Sequence, residues 1–138
     1  IRNPWCAALL LDLHSRPPLR KQAGQASAPR ILLGDRFGAA CDASLVGRAM
    51  RVLDDFSCSS GHNRPYSGGY VLDRHASTRR GLHAMQIEVC RSAYLDEQLD
   101  KTSAGVKPMA TMLSALVREL CAEVARLGGE DQFDQAAL

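Results

Sequence analysis

Cys6-Ala7-Ala8-Leu9-Leu10-Leu11-Asp12 is a continuous apolar run that turns polar at its end. It reads as a strand covered on both faces, the form taken in the middle of a sheet flanked by helices. Its carboxyl edge carries Asp12, His14 and Ser15. A second short strand is expected over Arg30 to Gly34. A third is expected over His83 to Val89, where Met85, Ile87 and Val89 share one side and Ala84, Gln86 and Glu88 the other. Between them Asp42 stands where a helix N-cap belongs, and Leu45, Val46, Ala49, Met50, Leu53 and Phe56 recur at helical spacing, predicting a helix from Ala43 to Phe56. After Pro108, the spacing of Met109, Leu113, Leu116, Val117, Leu120, Val124 and Leu127 predicts a long amphipathic helix ended by Gly128-Gly129. Strands alternating with helices place the chain in the α/β class, with a mixed or mostly parallel sheet flanked by helices.

The connections are equally marked. Arg16 to Pro29 holds three prolines and a glycine without a period and reads as a loop. Ser57 to Gly69 is rich in Ser, Gly, Asn and Pro and reads as an irregular loop, followed by a short helix over Tyr70 to His75. With 138 residues, 46% of them hydrophobic and 23% charged, the composition is that of one soluble globular α/β domain over residues 1–138. The chain opens without Met a few residues before a buried strand, so it reads as an incomplete domain lacking its amino-terminal part.

A formal charge of +2, with basic residues scattered among acids, argues against nucleic acid as a partner. The five cysteines, Cys6, Cys41, Cys58, Cys90 and Cys121, are widely spaced with no metal-binding motif, as expected of reduced thiols in a cytoplasmic protein. No apolar run has the length of a membrane span, and no membrane partner is expected.

Three places could carry chemistry. His14, just past a buried strand and next to a carboxylate and a hydroxyl, suits a metal ligand, although on spacing alone a hydrogen-bonded structural histidine is the plainer reading. Glu88 puts an acid into an otherwise apolar strand, where an ionised carboxylate is costly unless paired or used. The loop Asn63-Arg64-Pro65-Tyr66-Ser67-Gly68-Gly69-Tyr70 joins glycine flexibility to Arg, Asn and phenols, which suits a wall that binds a carboxylate. It could equally be only a turn. Arg36, Arg74 and His75 add cationic groups nearby in sequence.

These pieces also occur in an order that resembles one family. Leu11-Asp12-Leu13-His14-Ser15-Arg16-Pro17-Pro18, Gly34-Asp35-Arg36-Phe37-Gly38-Ala39-Ala40-Cys41-Asp42, the 63–70 loop and Gly81-Leu82-His83-Ala84-Met85-Gln86-Ile87-Glu88 are similar to successive blocks of the N-formylglutamate amidohydrolases, and Tyr94-Leu95-Asp96-Glu97 extends the likeness. The resemblance spans Cys6 to Glu97. It implies a fold related to the zinc carboxypeptidases (phosphorylase/hydrolase-like), of which this chain would be the carboxyl-terminal half. It also implies hydrolysis of N-formyl-L-glutamate, or a similar small-molecule N-acyl amino acid, to formate and glutamate, a step of histidine degradation. One Zn2+ ion is implied as cofactor, with His14 as a metal ligand and Glu88 as the catalytic general base. Arg36, Asn63, Arg64, Tyr70, Arg74 and His75 are implied as substrate-binding residues.

The family's early segment, which would supply a second histidine and an acid to the metal, has no counterpart before Asp12. His62, His75 and His83 form no pair with metal-ligand spacing. The competing reading is a non-catalytic relative that keeps the fold to bind a small molecule or protein. A thiol enzyme built on Cys90 is weaker, since no histidine is placed in sequence to activate that residue.

Overall fold

The computed structural model describes residues 6–21, 23–25 and 27–136, with backbone alone from residue 130 onward. Four strands form one sheet: β1 (Ala8–Arg16), β2 (Ile31–Gly34), β3 (Ser60–His62) and β4 (Leu82–Cys90). Their order is β1-β4-β2-β3. The pairs β1/β4 and β2/β3 are parallel and β2/β4 is antiparallel, so the sheet is mixed, as expected. Among the described residues three α-helices accompany it: α1 (Ala43–Asp55), α2 (Tyr70–His75) and α3 (Val106–Ala136).

Register fixes what each face carries. Met85, Ile87 and Val89 of β4 lie beside Leu11, Leu13 and Ser15 of β1, and Ile87 and Val89 beside Leu33 and Ile31 of β2. This face is covered by α1 and α3. Leu45, Ala49 and Leu53 from α1 and Met112, Leu116 and Leu120 from α3 join Ile31, Leu33, Met85, Ile87 and Val89 in one core. Burying such side chains contributes roughly 1.5–3 kcal/mol each before the entropy of ordering is counted. The opposite face is partly covered by α2, whose Leu72 packs with Ala40 and Ala84.

Four expectations differ from what the described residues show. Among the described strands β1 lies at the sheet edge, with Leu10 37% and Leu13 59% exposed, so the described residues do not supply the cover on both faces expected of the apolar run. An apolar run records how many faces want cover, whereas position in a sheet depends on distant partners. The expected Ser57–Gly69 loop contains β3, three residues (Ser60-Gly61-His62) with no strand pattern, recruited because Arg30 and Ile31 donate to the Ser59 carbonyl and the pairing continues along β2. The long helix runs through Gly128-Gly129 to Ala136. A Cβ on Gly128 would lie 3.4 Å from the Ala7 nitrogen, so the small residue lets α3 lie close against the start of β1 instead of ending the helix. Helix α1 ends at Asp55, one residue before the expected Phe56, which is its C-cap. Among the described residues no helix is long and apolar enough to cross a membrane.

Candidate active site

Because side chains alternate along a strand, Asp12 and His14 of β1 share the α2 face of the sheet with Ala84, Gln86 and Glu88 of β4. The register sets Asp12 beside Gln86 and His14 beside Glu88. On the other side of β4, Gln86 is paired with Gly34 and Glu88 with Leu32. Four polar side chains thus form a two-by-two patch on this face, a placement that strand pairing alone brings about.

Within the patch each strand makes its own pair. His14 Nε2 lies 2.9 Å from Asp12 Oδ1, with the imidazole 49% exposed. Gln86 Nε2 donates to Glu88 Oε1 at 2.5 Å. The second oxygen of Glu88 has no protein partner among the described residues, and the carboxylate is half-buried. An imidazole oriented by a carboxylate and a base held by an amide are both arrangements suited to chemistry on an acyl group.

The 63–70 loop forms a wall beside this patch. The turn after β2 places Arg36, Phe37 and Gly38 in the left-handed region, with φ of 56°, 56° and 87°. Arg36 then reaches back over the loop. Its Nε donates to Asp73 Oδ1 at 2.9 Å, and its Nη1 donates to the Ser67 hydroxyl at 3.1 Å and the Gly68 carbonyl at 3.2 Å. The approach requires two glycines. A Cβ on Gly34 would lie 2.6 Å from the Ser67 carbonyl carbon, and one on Gly68, at φ 92°, would meet a Leu72 methyl at 2.4 Å. The loop also carries a cis Arg64–Pro65 peptide.

The expected substrate-binding residues divide into two groups. Asn63 is buried, at φ 64°, with both ends of its amide committed to Asp35: Nδ2 donates to Oδ1 at 2.7 Å, and its own Oδ1 accepts from the Asp35 amide at 2.9 Å. Arg36 is largely committed to the loop. By contrast Arg64 lies exposed with its guanidinium 5.7 Å over the Phe37 ring, and Tyr70 opens α2 at 76% exposure. Arg74 and His75 are exposed in the last turn of α2, and neither they nor Arg64 has an ion pair among the described residues.

Sequence reasoning noticed Gln86, Asp35 and His62 but gave none of them a place in the site. Gln86 was visible as the polar residue two before Glu88. Asp35 is 3% exposed yet accepts from Asn63 and lies 3.0 Å from His62 Nε2, a cluster that no spacing announces.

The cysteines form no disulfide. Burial, with Asp35 and Asp42 nearby, pushes the Cys41 thiol up to about 12. Cys90 is buried with its sulfur 3.0 Å from the Ser92 hydroxyl, not beside an imidazole that would activate it. For a metal, the described residues contain no group of three or more His, Cys, Asp or Glu side chains able to hold an ion. His14, with Asp12 beside it, is a partial donor set only. Two apolar clefts among the described residues border α3: one between Leu9 and Leu11 of β1 and α3, another between the end of β1 and the start of α3, with His14 in its lining.

A sequence profile of the N-formylglutamate amidohydrolase family matches residues 2–95. An N-formylglutamate deformylase of Pseudomonas aeruginosa is 28% identical over 127 residues, covering 89% of this chain and 46% of its own length. A second, from Pseudomonas putida, is 28% identical over 126 residues, covering 88% and 47%. The crystal structure of an N-formylglutamate amidohydrolase from Ralstonia eutropha JMP134 is similar with a TM-score of 0.65 and 26% identity, over 90% of this chain and 43% of that one. The chain therefore spans about half the length of the relatives it matches.

Proposed function

Because the chain belongs to the N-formylglutamate amidohydrolase family, we propose that it carries the base-bearing part of an active site that hydrolyses N-formyl-L-glutamate, or a close N-acyl amino acid, to formate and the free amino acid in the cytoplasm, as part of histidine degradation. The observation that carries this reading is the register that sets His14 and Glu88 side by side on one open face of the sheet. Glu88 takes a proton from the attacking water as the oxygen bonds to the acyl carbon. It then returns that proton to the amide nitrogen as the carbon–nitrogen bond breaks. Its open oxygen is the one free to do so. Arg64, Tyr70, Arg74 and His75, exposed along the adjoining loop and α2, are assigned to the substrate carboxylates, for which a forked guanidinium is well suited. Arg36 and Asn63 hold the wall that presents them.

We extend the proposal to zinc, with His14 as one donor and Asp12 orienting its ring; the remaining donors are not among the described residues. When bound, such an ion lowers the pKa of its water to about 7 and polarises the acyl oxygen. The second reading is a relative that keeps this fold to bind a small molecule without turnover.

The test is formate release from N-formyl-L-glutamate by the purified full-length protein, with zinc content measured in parallel. Turnover that Glu88→Gln lowers by about 10²–10⁴-fold, as expected for loss of a positioned base, together with zinc that His14→Ala removes, supports the reading. No turnover with metal supplied refutes it and leaves the binding module.

A further inference from the structure

Gln86 is not among the proposed substrate contacts, yet it is the most enclosed member of the polar patch. It is 8% exposed, whereas its neighbour Glu88 is half-buried. A buried amide of this kind is kept only where its hydrogen bonds are met. Residues two apart on a strand have Cα atoms about 6.8 Å apart, so Gln86 and Glu88 meet only by leaning toward one another along β4. Their side chains close that gap to 2.5 Å, amide nitrogen to carboxylate Oε1.

The surroundings hold the amide in that pose. Gly34 and Asp12 flank it in register on the two neighbouring strands. Above it lies Gly68, where an added Cβ would be 3.5 Å from Gln86 Oε1 and would collide with Leu72. The same loop is tied down by Arg36 through Ser67 and Gly68. The amide oxygen therefore faces the Gly68 turn and the nitrogen faces Glu88, the orientation in which the amide donor meets a carboxylate oxygen.

From this geometry we infer that Gln86 is the positioning residue for the base: it occupies Oε1 of Glu88 and so presents Oε2 as the working oxygen, while the Arg36-held loop keeps the amide from swinging away. The inference rests on the assignment of Glu88 as general base. A base left free to rotate spends much of its time in orientations that miss the proton, and misplacement of about 1 Å can cost on the order of 10²-fold in rate. Because Gln86 acts through Glu88 and touches no substrate carboxylate, its loss belongs in kcat and not in KM.

The experiment compares the full-length protein with Gln86→Met, which keeps length and bulk but has no donor, and Gln86→Asn, which keeps the amide but is one methylene too short. Formate release is resolved into kcat and KM, and crystal structures of the wild type and variants are determined. The expected result is a fall in kcat of about 10²-fold in both variants with KM within about twofold and thermal midpoints within a few degrees. The Glu88 carboxylate should take one orientation in the wild type and several, or a new one, in the variants. Unchanged kcat, or a loss carried by KM, overturns the inference. If the wild type releases no formate, the hydrolase reading fails by itself, and the crystal structures still decide the geometry. A Gln86 amide away from Glu88 in the wild type, or a carboxylate unmoved in the variants, overturns it whether or not the protein is active or a variant folds.

Discussion

The side chain of Asn63 closes a ring of hydrogen bonds with Asp35, joining the turn after β2 to the turn after β3 across 28 residues of sequence. Its left-handed backbone is one that Asn tolerates better than most residues. Replacing it with Ala leaves the buried Asp35 amide without its acceptor and Asp35 Oδ1 with His62 alone, which costs about 1–3 kcal/mol. Asn63→Ala should lower the urea midpoint accordingly, and activity should fall with it, because the loop that Arg36 and Asn63 hold carries the proposed substrate contacts. A variant with full stability would show that the ring is closed some other way.

Two places in the helices test the local arguments. Asp42 caps α1 by accepting from the Ser44 amide at 2.9 Å. Hydrogen bonding from Ser44 holds its carboxyl below the ordinary value, against a smaller opposing effect of burial. A depressed carboxyl stabilises the fold above its unfolded value and loses that contribution as pH falls through the folded one. Asp42→Ala should therefore cost about 1 kcal/mol at pH 7, a difference that shrinks in denaturant titrations carried out below about pH 4. At the other end of the chain the two glycines of α3 should separate. Nothing lies within 4 Å of a Cβ on Gly129, whereas one on Gly128 meets the backbone of Ala7 at 3.4 Å. Gly129→Ala should gain about 0.5–1 kcal/mol from helix propensity, and Gly128→Ala clearly less. Equal gains would mean that α3 does not lie close against β1.

Across the molecule, α1 is tied to α3 by one buried acid. Glu123 is 3% exposed, accepts from Arg48 at 3.1 Å and Arg126 at 2.5 Å, and shares Arg48 with Glu119 at 3.2 Å. The hydrogen bond from Arg126, aided by Arg48 and opposed by burial, brings its carboxyl down to about 2. The contribution is present above about pH 4.5, the ordinary value, and is lost as pH falls toward 2. Acid unfolding followed by circular dichroism should show this loss between those limits. Glu123→Gln should weaken the fold at pH 7 by about 1 kcal/mol, since it replaces charge-assisted hydrogen bonds from the partly exposed Arg48 and Arg126 with neutral ones, and should flatten the acid limb. An unchanged limb would assign acid sensitivity to other carboxylates.

Much of the architecture and part of the site were legible in the chain itself. The period-two pattern of Ala84 to Val89 separated the core side of β4 from the side bearing Gln86 and Glu88, and Asp42 with the spacing from Leu45 to Leu53 marked α1, because these signals are written among near neighbours. His14 and Glu88 stood out as polar groups in apolar strands. Position and partnership were decided only by the tertiary structure. The edge place of β1, the recruitment of Ser60-Gly61-His62 as a strand and the passage of α3 through two glycines all depend on residues far away in sequence. The same holds for the site: strand pairing set His14 beside Glu88, loop closure confined Gln86, and the joined turns committed Arg36 and Asn63 to the scaffold. Local chemistry determines which residues can act, and long-range pairing determines which of them meet.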